Sequence, residues 1–300
     1  MLKLFFGSTN KSLAEKISKE ASLPLGELEI FKFPDGETRV RVIDNVVDED
    51  VWVLQSRGRN PDSSYMELFF IVDALKRSGA RFVGTIIPYL SYQRQDHVFR
   101  SGEAVSLEVI IKTLERVGAD KIITLDLHSI KIPELFNIPM THLSAIPLFA
   151  EVIKEKFKNL DRCVLVSPDM GGIRRIKILA DELGVSFATI EKNRDLETGE
   201  IESAKLDGEI KENAIIVDDM ISTGRTIGAA AELLLKNGAK NVYAFATHPV
   251  FSSDPPIFFE SSSVSEVFVT DSINVPKDKQ FAKLNIISVA GLFSKELSKK

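Results

Sequence analysis

The chain has 300 residues, of which 44% are hydrophobic and 27% charged, an ordinary globular balance that allows about two domains. Its net charge of -5 argues against a broad nucleic-acid-binding surface, because such surfaces carry excess Lys and Arg. A lone cysteine, Cys163, excludes a disulfide within the chain and favours a reducing, cytoplasmic location. No apolar stretch is long enough to span a membrane, so we expect no membrane partner.

Predicted strands and helices alternate along the chain, beginning with the apolar run 2–7. Three amphipathic stripes each end in Gly-Ala, which places Gly79, Gly118 and Gly238 in the left-handed position that terminates a helix. Further predicted strands are 50–56, 163–169, 214–219 and 266–271. Nearly continuous apolar strands separated by helices are typical of a parallel sheet that is covered on both faces.

The same helix–glycine–strand junction occurs in both halves of the chain. It predicts two α/β domains of one kind, residues 1–145 and 146–300, each a mainly parallel sheet flanked by helices. Pro147 can open a helix at the boundary. Several strands end in polar clusters, and ligands of open α/β sheets bind beyond the carboxyl ends of the strands. We therefore expect the functional site at these strand ends.

The segment 214–234 carries the clearest chemistry. Asp218 and Asp219 end an apolar strand, and a helix begins near Ile227. The intervening turn contains Ser222, Thr223, Gly224, Arg225 and Thr226. Hydroxyls and backbone N–H groups at a helix N-terminus suit a phosphate, whereas paired acids suit sugar hydroxyls or a cation. Together they describe a pentose 5-phosphate site, and the alternative interpretation is a strand–helix connection capped by Ser and Thr.

The run IIVDDMISTGRT resembles the signature of type I phosphoribosyl-pyrophosphate (PRPP) binding proteins, which include phosphoribosyltransferases and the ribose-phosphate pyrophosphokinase family. Four further runs resemble the second group: FPDGE (33–37), YQRQD (92–96), LDLHS (125–129) and SPDMGG (167–172). This resemblance implies tandem type I phosphoribosyltransferase-like domains. It also implies a reaction of ATP with ribose 5-phosphate that gives AMP and PRPP, a requirement for Mg²⁺, and a homodimer or larger homo-oligomer.

The resemblance also assigns roles to individual residues. The residues implied to bind ATP are Phe33, Asp35, Gly36, Glu37, Arg94, Gln95 and Asp96. Those implied to bind magnesium are His128 and Asp169, and those implied to be catalytic are Lys192 and Arg194 in the charged segment 190–203. Those implied to bind ribose 5-phosphate are Arg194, Asp218, Asp219 and the turn 222–226.

Two other functions are compatible with part of the sequence. A phosphoribosyltransferase would use PRPP and a nitrogenous base, but it has no role for FPDGE or YQRQD. A non-catalytic PRPP-binding regulatory subunit would not need Lys192, Arg194, His128 and Asp169 together. The segment 97–106 lacks the basic, proline-containing sequence of many bacterial and eukaryotic members. This segment looks more like that of archaeal members, which implies an assembly smaller than a hexamer.

Overall fold

The protein is described here by a computed structural model that covers residues 2–194 and 201–299, with side chains for 2–191 and 205–299. The elements of the first half are β1 (Lys3–Phe6), α1 (Lys11–Ala21), β2 (Leu28–Lys32), β3 (Thr38–Val42), β4 (Asp50–Leu54), α2 (Pro61–Arg77), β5 (Phe82–Ile87), α3 (Ser106–Arg116), β6 (Lys121–Leu125) and β7 (Met140–Leu143). The elements of the second half are α4 (Ile146–Lys156), β8 (Cys163–Ser167), α5 (Ile173–Leu183), β9 (Phe187–Arg194), β10 (Ile201–Asp207), β11 (Asn213–Ile221), α6 (Arg225–Lys236), β12 (Asn241–Pro249), α7 (Pro255–Ser261), β13 (Glu266–Thr270), β14 (Leu284–Ile287) and α8 (Ala290–Leu297).

The chain divides into two compact units. Unit 1 comprises Met1–Ser144, Ser272–Asn274 and Ser288–Lys300, and unit 2 comprises Ala145–Asp271 and Val275–Ile287. The C-terminal helix α8 thus clusters with unit 1, in which Ser294 Oγ donates to the carbonyl oxygen of Ile17 on α1. This assignment differs from the predicted second domain, 146–300, because chain order alone does not reveal which unit a terminal helix packs against.

Unit 1 is built on a five-stranded sheet of order β1-β4-β5-β6-β7, in which every neighbouring pair is parallel. A separate antiparallel hairpin joins β2 to β3. The core lies between the sheet and helices α2 and α3, where Leu68, Val72 and Leu114 are buried. Burial of this kind contributes about 25 cal/mol per Å² of apolar surface, which makes it the main stabilising term.

Unit 2 is built on a seven-stranded sheet of order β10-β9-β8-β11-β12-β13-β14. Its strands are parallel except for the antiparallel pair β9–β10. Cys163 is buried in β8, and burial raises the pKa of its thiol, so it is not a reactive thiolate. Among the described residues of either unit, no helix combines the length and apolar character needed to cross a bilayer.

The predicted helix ends are confirmed. Gly79, Gly118 and Gly238 have φ values of +90°, +109° and +102°, the left-handed region that glycine adopts without a Cβ clash. One boundary differs from the prediction, because β11 continues past both aspartates to Ile221 and α6 already begins at Arg225. The extension follows from parallel pairing with β12, in which Ile221 lies opposite Pro249.

Candidate active site

The turn between β11 and α6 has the features of an anion site. Gly224 is the N-cap of α6 and has a φ of +83°, so no side-chain oxygen of the cap occupies the first N–H groups of the helix. Thr223 is exposed, and Ser222 and Thr226 are half-buried, so their hydroxyls border the same helix end. Backbone donors and the helix dipole at such an end favour a bound phosphate.

Two carboxylates precede this turn on β11. The side chains of Asp218 and Asp219 are 15% and 5% exposed. Asp218 Oδ1 accepts a hydrogen bond of 2.8 Å from the backbone N–H of Asp219. Burial raises the pKa of Asp218 well above its ordinary value, and the negative charges of Asp219 and Asp169 raise it further. When ionised, these carboxylates would repel another anion, whereas they can accept hydrogen bonds from neutral hydroxyls.

Arg175 is the cation that faces this pair. Its Nη1 lies 3.8 Å from Asp218 Oδ1 and 4.0 Å from Asp219 Oδ1, and its side chain is only 16% exposed. The guanidinium lowers the pKa of Asp218, against the effect of burial and of the neighbouring carboxylates. Sequence reasoning missed Arg175, although the run IRRIK directly after SPDMGG was a possible signal.

Asp169 completes an acidic cluster in unit 2. It follows β8 and caps the turn into α5, where its Oδ1 accepts 3.2 Å from the N–H of Gly172. Ser167 Oγ donates 2.7 Å to the carbonyl oxygen of Asp169 and thereby fixes this turn. A Cβ at position 172 would lie 2.5 Å from Ser167 Oγ, so glycine is required there. The chain thus passes from Gly171 and Gly172 directly into α5.

The fit of this cluster to Mg²⁺ can be judged from its donor set. Among the described residues, no group of three or more His, Cys, Asp or Glu side chains has the arrangement of a metal site. Mg²⁺ in phosphate-transfer sites is usually held by one or two carboxylates together with substrate phosphates and water. Asp169 is exposed, and its negative charge raises the pKa of the nearby Asp218. This arrangement fits a single carboxylate that binds a cation together with a substrate.

His128 lies in unit 1, in the loop after β6. The loop is fixed by two backbone donors: Leu127 N–H donates 2.9 Å to His142 Nε2, and His128 N–H donates 2.9 Å to Gln93 Oε1. Asp126 before them has a φ of +34°, a rare conformation for a non-glycine residue. The imidazole of His128 is exposed. Sequence reasoning missed Gln93 and His142, because neither contact is local in the chain.

The hairpin of β2 and β3 carries the first proposed ATP loop. Gly36 has a φ of +94°, and Asp35 Oδ1 accepts 3.0 Å from the N–H of Glu37. These features form a tight turn, for which Pro-Asp-Gly is a strong sequence signal. Phe33 is 39% exposed. The Arg39 guanidinium carbon lies 5.8 Å from the Phe33 ring centroid, close enough for a cation–π contact.

The second proposed ATP loop follows β5 in the same unit. Arg94 and Gln95 are exposed, while Asp96 is half-buried with its Oδ1 2.7 Å from His97 Nδ1. The N–H of Gln95 donates 2.7 Å to the carbonyl oxygen of Tyr92, whose φ is +68°. The loop therefore presents a guanidinium and an amide to solvent from a tightly turned backbone.

Comparison with known proteins gives matches over almost the whole chain. The family profile described as the N-terminal domain of ribose phosphate pyrophosphokinase matches residues 2–118, and the phosphoribosyl synthetase-associated domain matches residues 204–299. Ribose-phosphate pyrophosphokinase of Fusobacterium nucleatum is 39% identical over 300 residues, which cover 99% of this chain and 94% of that protein. This chain belongs to the ribose-phosphate pyrophosphokinase family.

Other relatives agree with this family assignment. The Bacillus caldolyticus ribose-phosphate pyrophosphokinase is 37% identical over 299 residues, with 99% of this chain and 94% of that protein covered. The crystal structure of phosphoribosylpyrophosphate synthetase from Mycobacterium smegmatis superposes with a TM-score of 0.92 at 35% identity. That match covers 99% of this chain and 97% of the other. The predicted fold class of tandem phosphoribosyltransferase-like α/β domains is confirmed.

The predicted archaeal character is not borne out. The relatives named above are all bacterial ribose-phosphate pyrophosphokinases or a bacterial synthetase. The prediction rested on the composition of one segment, 97–106, of which residues 97–105 form a largely exposed loop before α3. Such loops vary in sequence more than the strands and helices that they connect, so their composition is a weak guide to ancestry.

The two residues assigned to catalysis by the family resemblance are only partly described. The backbones of Lys192 and Arg194 lie in β9, where Lys192 is opposite Ala204 and Arg194 is opposite Ile201 of β10. Their side chains, together with residues 195–200, lie outside the described residues. Their catalytic role therefore stays a prediction.

Proposed function

We propose that this chain transfers the β,γ-pyrophosphoryl group of Mg·ATP to the 1-hydroxyl of ribose 5-phosphate and releases PRPP and AMP. The observation that carries the proposal is the order of groups along β11 and α6. Two largely buried carboxylates are followed within one turn by hydroxyls and a helix N-terminus. The names of the relatives, ribose-phosphate pyrophosphokinase and phosphoribosylpyrophosphate synthetase, support the same reaction.

Ribose 5-phosphate has a dianionic phosphate at one end and neutral hydroxyls at the other. The turn between β11 and α6 suits the phosphate, and the two aspartates suit the hydroxyls. The residues proposed to hold the 5-phosphate are Ser222, Thr223, Gly224, Arg225 and Thr226. Asp218 and Asp219 would accept hydrogen bonds from the 2- and 3-hydroxyls, because a carboxylate is a strong acceptor for an O–H donor. Arg175 would favour the ionised form of Asp218, since its guanidinium lowers the pKa of that carboxyl against the larger, opposite effects of burial and of Asp219.

ATP is assigned to the two loops of unit 1. Phe33 offers an exposed aromatic face for the adenine, and Asp35, Gly36 and Glu37 form the polar turn beside it. The ATP phosphates are proposed to contact Arg94, and the ATP site is proposed to include the neighbouring Gln95 and Asp96. The exposed guanidinium of Arg94 suits phosphate oxygens, because its donors form a planar fork.

Magnesium is the metal that this proposal requires. Asp169 and His128 are the residues proposed to hold it, with His128 acting through water because Mg²⁺ prefers oxygen ligands. When bound, Mg²⁺ neutralises phosphate charge and polarises phosphoryl oxygens. The hydrogen bonds from His128 N–H to Gln93 and from Gly172 N–H to Asp169 orient these two residues independently.

The transfer itself needs no covalent enzyme intermediate. The 1-hydroxyl oxygen forms a bond to the β-phosphorus, the bond from that phosphorus to the α,β-bridging oxygen breaks, and AMP leaves. The hydroxyl proton is released to solvent or to a nearby acceptor. Lys192 and Arg194 are proposed to stabilise the charge that spreads over the phosphoryl oxygens in the transition state, and Arg194 also to contact the sugar phosphate.

The experiment that tests the proposal is product analysis of the purified chain. Mg·ATP and ribose 5-phosphate should yield AMP and PRPP in equal amounts, and omission of ribose 5-phosphate should abolish AMP. AMP formation that required a nitrogenous base or PRPP would instead indicate a phosphoribosyltransferase route. Binding of PRPP without any turnover would indicate a regulatory subunit.

A substitution separates the two substrate sites. Asp219→Ala should raise the KM for ribose 5-phosphate about 10- to 100-fold, because a hydrogen bond to a charged group is worth about 1.5–3 kcal/mol. The KM for ATP should change less than about twofold, since Asp219 is proposed to accept hydrogen bonds from the sugar hydroxyls and not to contact the nucleotide. Equal effects on both substrates would remove Asp219 from the sugar site.

The assembly and location are also proposals. We infer a homodimer or larger homo-oligomer in the cytoplasm, supported by the exposed aromatic hairpin of Phe31 and Phe33 and by the single buried cysteine. Light scattering of the purified chain at micromolar concentration measures the assembly directly. A monomer that retained full activity would contradict the proposed oligomer.

A further inference from the structure

The phosphate-binding turn is paired with a second loop that has no assigned role. The backbone N–H of Phe251 donates 3.0 Å to the carbonyl oxygen of Ile221, and that of Ser252 donates 3.1 Å to the carbonyl oxygen of Ser222. The hydroxyl oxygens of Ser222 and Ser252 lie 2.8 Å apart. The turn is therefore joined to residues 251–252 by two backbone bonds and one side-chain bond.

The helix that follows this loop packs against the same turn from another side. A Cβ at position 224 would lie 2.8 Å from Phe258 Cδ1, and a Cβ at position 228 would lie 2.7 Å from Phe258 Cζ. The Phe258 ring thus occupies the space that larger residues at Gly224 and Gly228 would need. Glycine at both positions allows the ring to press directly on the backbone of the first turn of α6.

Two lysines anchor this part of the chain, residues 251–262, which we call the support segment. Lys279 Nζ donates 2.8 Å to the carbonyl oxygen of Phe251 and also bonds to that of Ser253. Lys283 Nζ donates to the carbonyl oxygens of Phe259 and Ser262, at 3.0 and 2.9 Å. Both ends of the segment are thereby held by cations from the stretch before β14, within the same unit.

The backbone of the support segment is itself constrained. Phe251 has a φ of +41°, an uncommon value for a residue with a Cβ, and its side chain is buried in the core of unit 2. Such a conformation persists only where surrounding contacts determine it. The bonds from Lys279 and to Ile221 are contacts of that kind, and they place Ser252 opposite Ser222.

We infer that the support segment positions the phosphate-binding turn, with Ser252 and Phe258 as its positioning residues. This inference rests on the proposed function, because it names what holds the sugar-phosphate site in shape. A hydroxyl has one proton to donate. If Ser222 donates to a phosphate oxygen, Ser252 must donate to Ser222, so Ser252 orients the Ser222 proton toward the anion. Phe258 fixes the distance of the α6 N-terminus from the same anion.

The first test uses the Ser252 hydroxyl and its conservative replacement. Ser252→Ala should raise the KM for ribose 5-phosphate about 10-fold, because small displacements of a preorganised site weaken binding strongly. Ser252→Thr keeps the hydroxyl and should restore most of that loss. The KM for ATP and the thermal unfolding midpoint should stay at the wild-type values in both variants. A wild-type KM for ribose 5-phosphate in Ser252→Ala would overturn the role of Ser252.

The second test uses the contact between Phe258 and α6. Gly228→Ala should raise the KM for ribose 5-phosphate, although alanine is the better helix former. The double variant Gly228→Ala/Phe258→Leu should recover binding, because leucine lacks the ring atom that meets the new methyl group. Gly291→Ala on α8 is the matched control, since its Cβ would be 3.4 Å from its nearest neighbour, Glu20 Oε2. Unchanged KM in Gly228→Ala, or no recovery with Phe258→Leu, would overturn the role of Phe258.

A binding measurement keeps this inference separate from the proposed activity. Inorganic phosphate should raise the unfolding temperature of the wild-type chain and of Ser252→Thr, and should raise that of Ser252→Ala much less. A wild-type chain that formed no AMP would overturn the proposed reaction, while the phosphate comparison would still decide the positioning role. If Gly228→Ala fails to fold, the Ser252 pair decides the inference by itself. Equal stabilisation of Ser252→Ala and wild type by phosphate would overturn it.

Discussion

Arg175 is near both carboxylates of the proposed sugar site, with its Nη1 3.8 Å from Asp218 Oδ1 and 4.0 Å from Asp219 Oδ1. All three side chains are largely buried, so solvent screens their interaction less than it would at the surface. One guanidinium thus partly offsets the repulsion between two carboxylates that are proposed to accept hydrogen bonds from sugar hydroxyls. This relationship connects substrate affinity to the ionisation of Asp218.

Arg175→Gln should raise the KM for ribose 5-phosphate about 10-fold, a loss expected for removing one interaction with a charged group. Without the guanidinium the pKa of Asp218 rises further, so at a given pH a smaller fraction of this carboxyl is ionised and available as an acceptor. The defect should therefore shrink as pH rises, because deprotonation restores the acceptor. Steady-state kinetics between pH 6.5 and 9 measure this. The control is Arg174→Gln, an exposed neighbour on α5, and a similar defect in that variant would contradict the role of Arg175.

Asp218→Asn should stabilise the chain while it weakens ribose 5-phosphate binding. The pKa of Asp218 is raised in the folded state, so the folded state holds the proton more tightly and stability falls as pH rises above the ordinary value of 3.8. Removing the charge should raise the free energy of unfolding at pH 8 by about 0.5–2 kcal/mol, the usual gain at a relieved functional site.

The pH dependence distinguishes this effect from a general gain in packing. The stability difference between Asp218→Asn and wild type should decrease as pH is lowered toward 3.8, because the wild-type carboxyl then becomes neutral as well. Urea unfolding at several pH values gives the difference directly. Asp181→Asn on α5 removes an exposed carboxylate of the same unit and should show no comparable gain. A gain for Asp218→Asn that stayed constant with pH would refute the charge explanation.

Lys192→Ala should lower kcat about 10²- to 10³-fold, the range for losing one electrostatic donor to a transition state. The backbone of Lys192 lies in β9, and the substitution leaves the pairing with β10 possible, so the unfolding temperature should change little. Lys205→Ala on the neighbouring strand β10 removes an exposed lysine of the same hairpin and serves as the control. Near-normal turnover of Lys192→Ala would exclude it from catalysis.

Thr124→Val in unit 1 should stabilise the protein by about 1–2 kcal/mol, because its hydroxyl is buried without a hydrogen-bond partner among the described residues. Thr85 offers a matched comparison on the adjacent strand, since it is also fully buried but its Oγ1 donates 3.3 Å to the carbonyl oxygen of Lys121. Thr85→Val should therefore destabilise by about 1 kcal/mol. Urea unfolding of both variants tests the pair, and equal shifts of the same sign would contradict the argument.

The sequence by itself determined the features that lie within one short run of residues. The left-handed glycines that end α2, α3 and α6 could be predicted because a helix end is set by local backbone sterics. The position of the turn 222–226 at the N-terminus of a helix could be predicted for the same reason, since its hydroxyls and that helix end are adjacent in the chain. The strand boundary at Ile221 could not, because pairing with β12 extends β11 beyond its local pattern.

Tertiary structure decided which distant side chains meet at those local sites. Arg175 lies on α5, the helix that follows β8. Because β8 pairs directly with β11, Arg175 comes close to Asp218 on β11. Ser252 meets Ser222 across 30 residues, and Gln93 meets His128 across 35. Helix α8 clusters with unit 1 although it ends the chain. Contacts of this kind depend on strand order and helix packing, which minimise exposed apolar surface over a whole unit and leave no local pattern in the residues that make them.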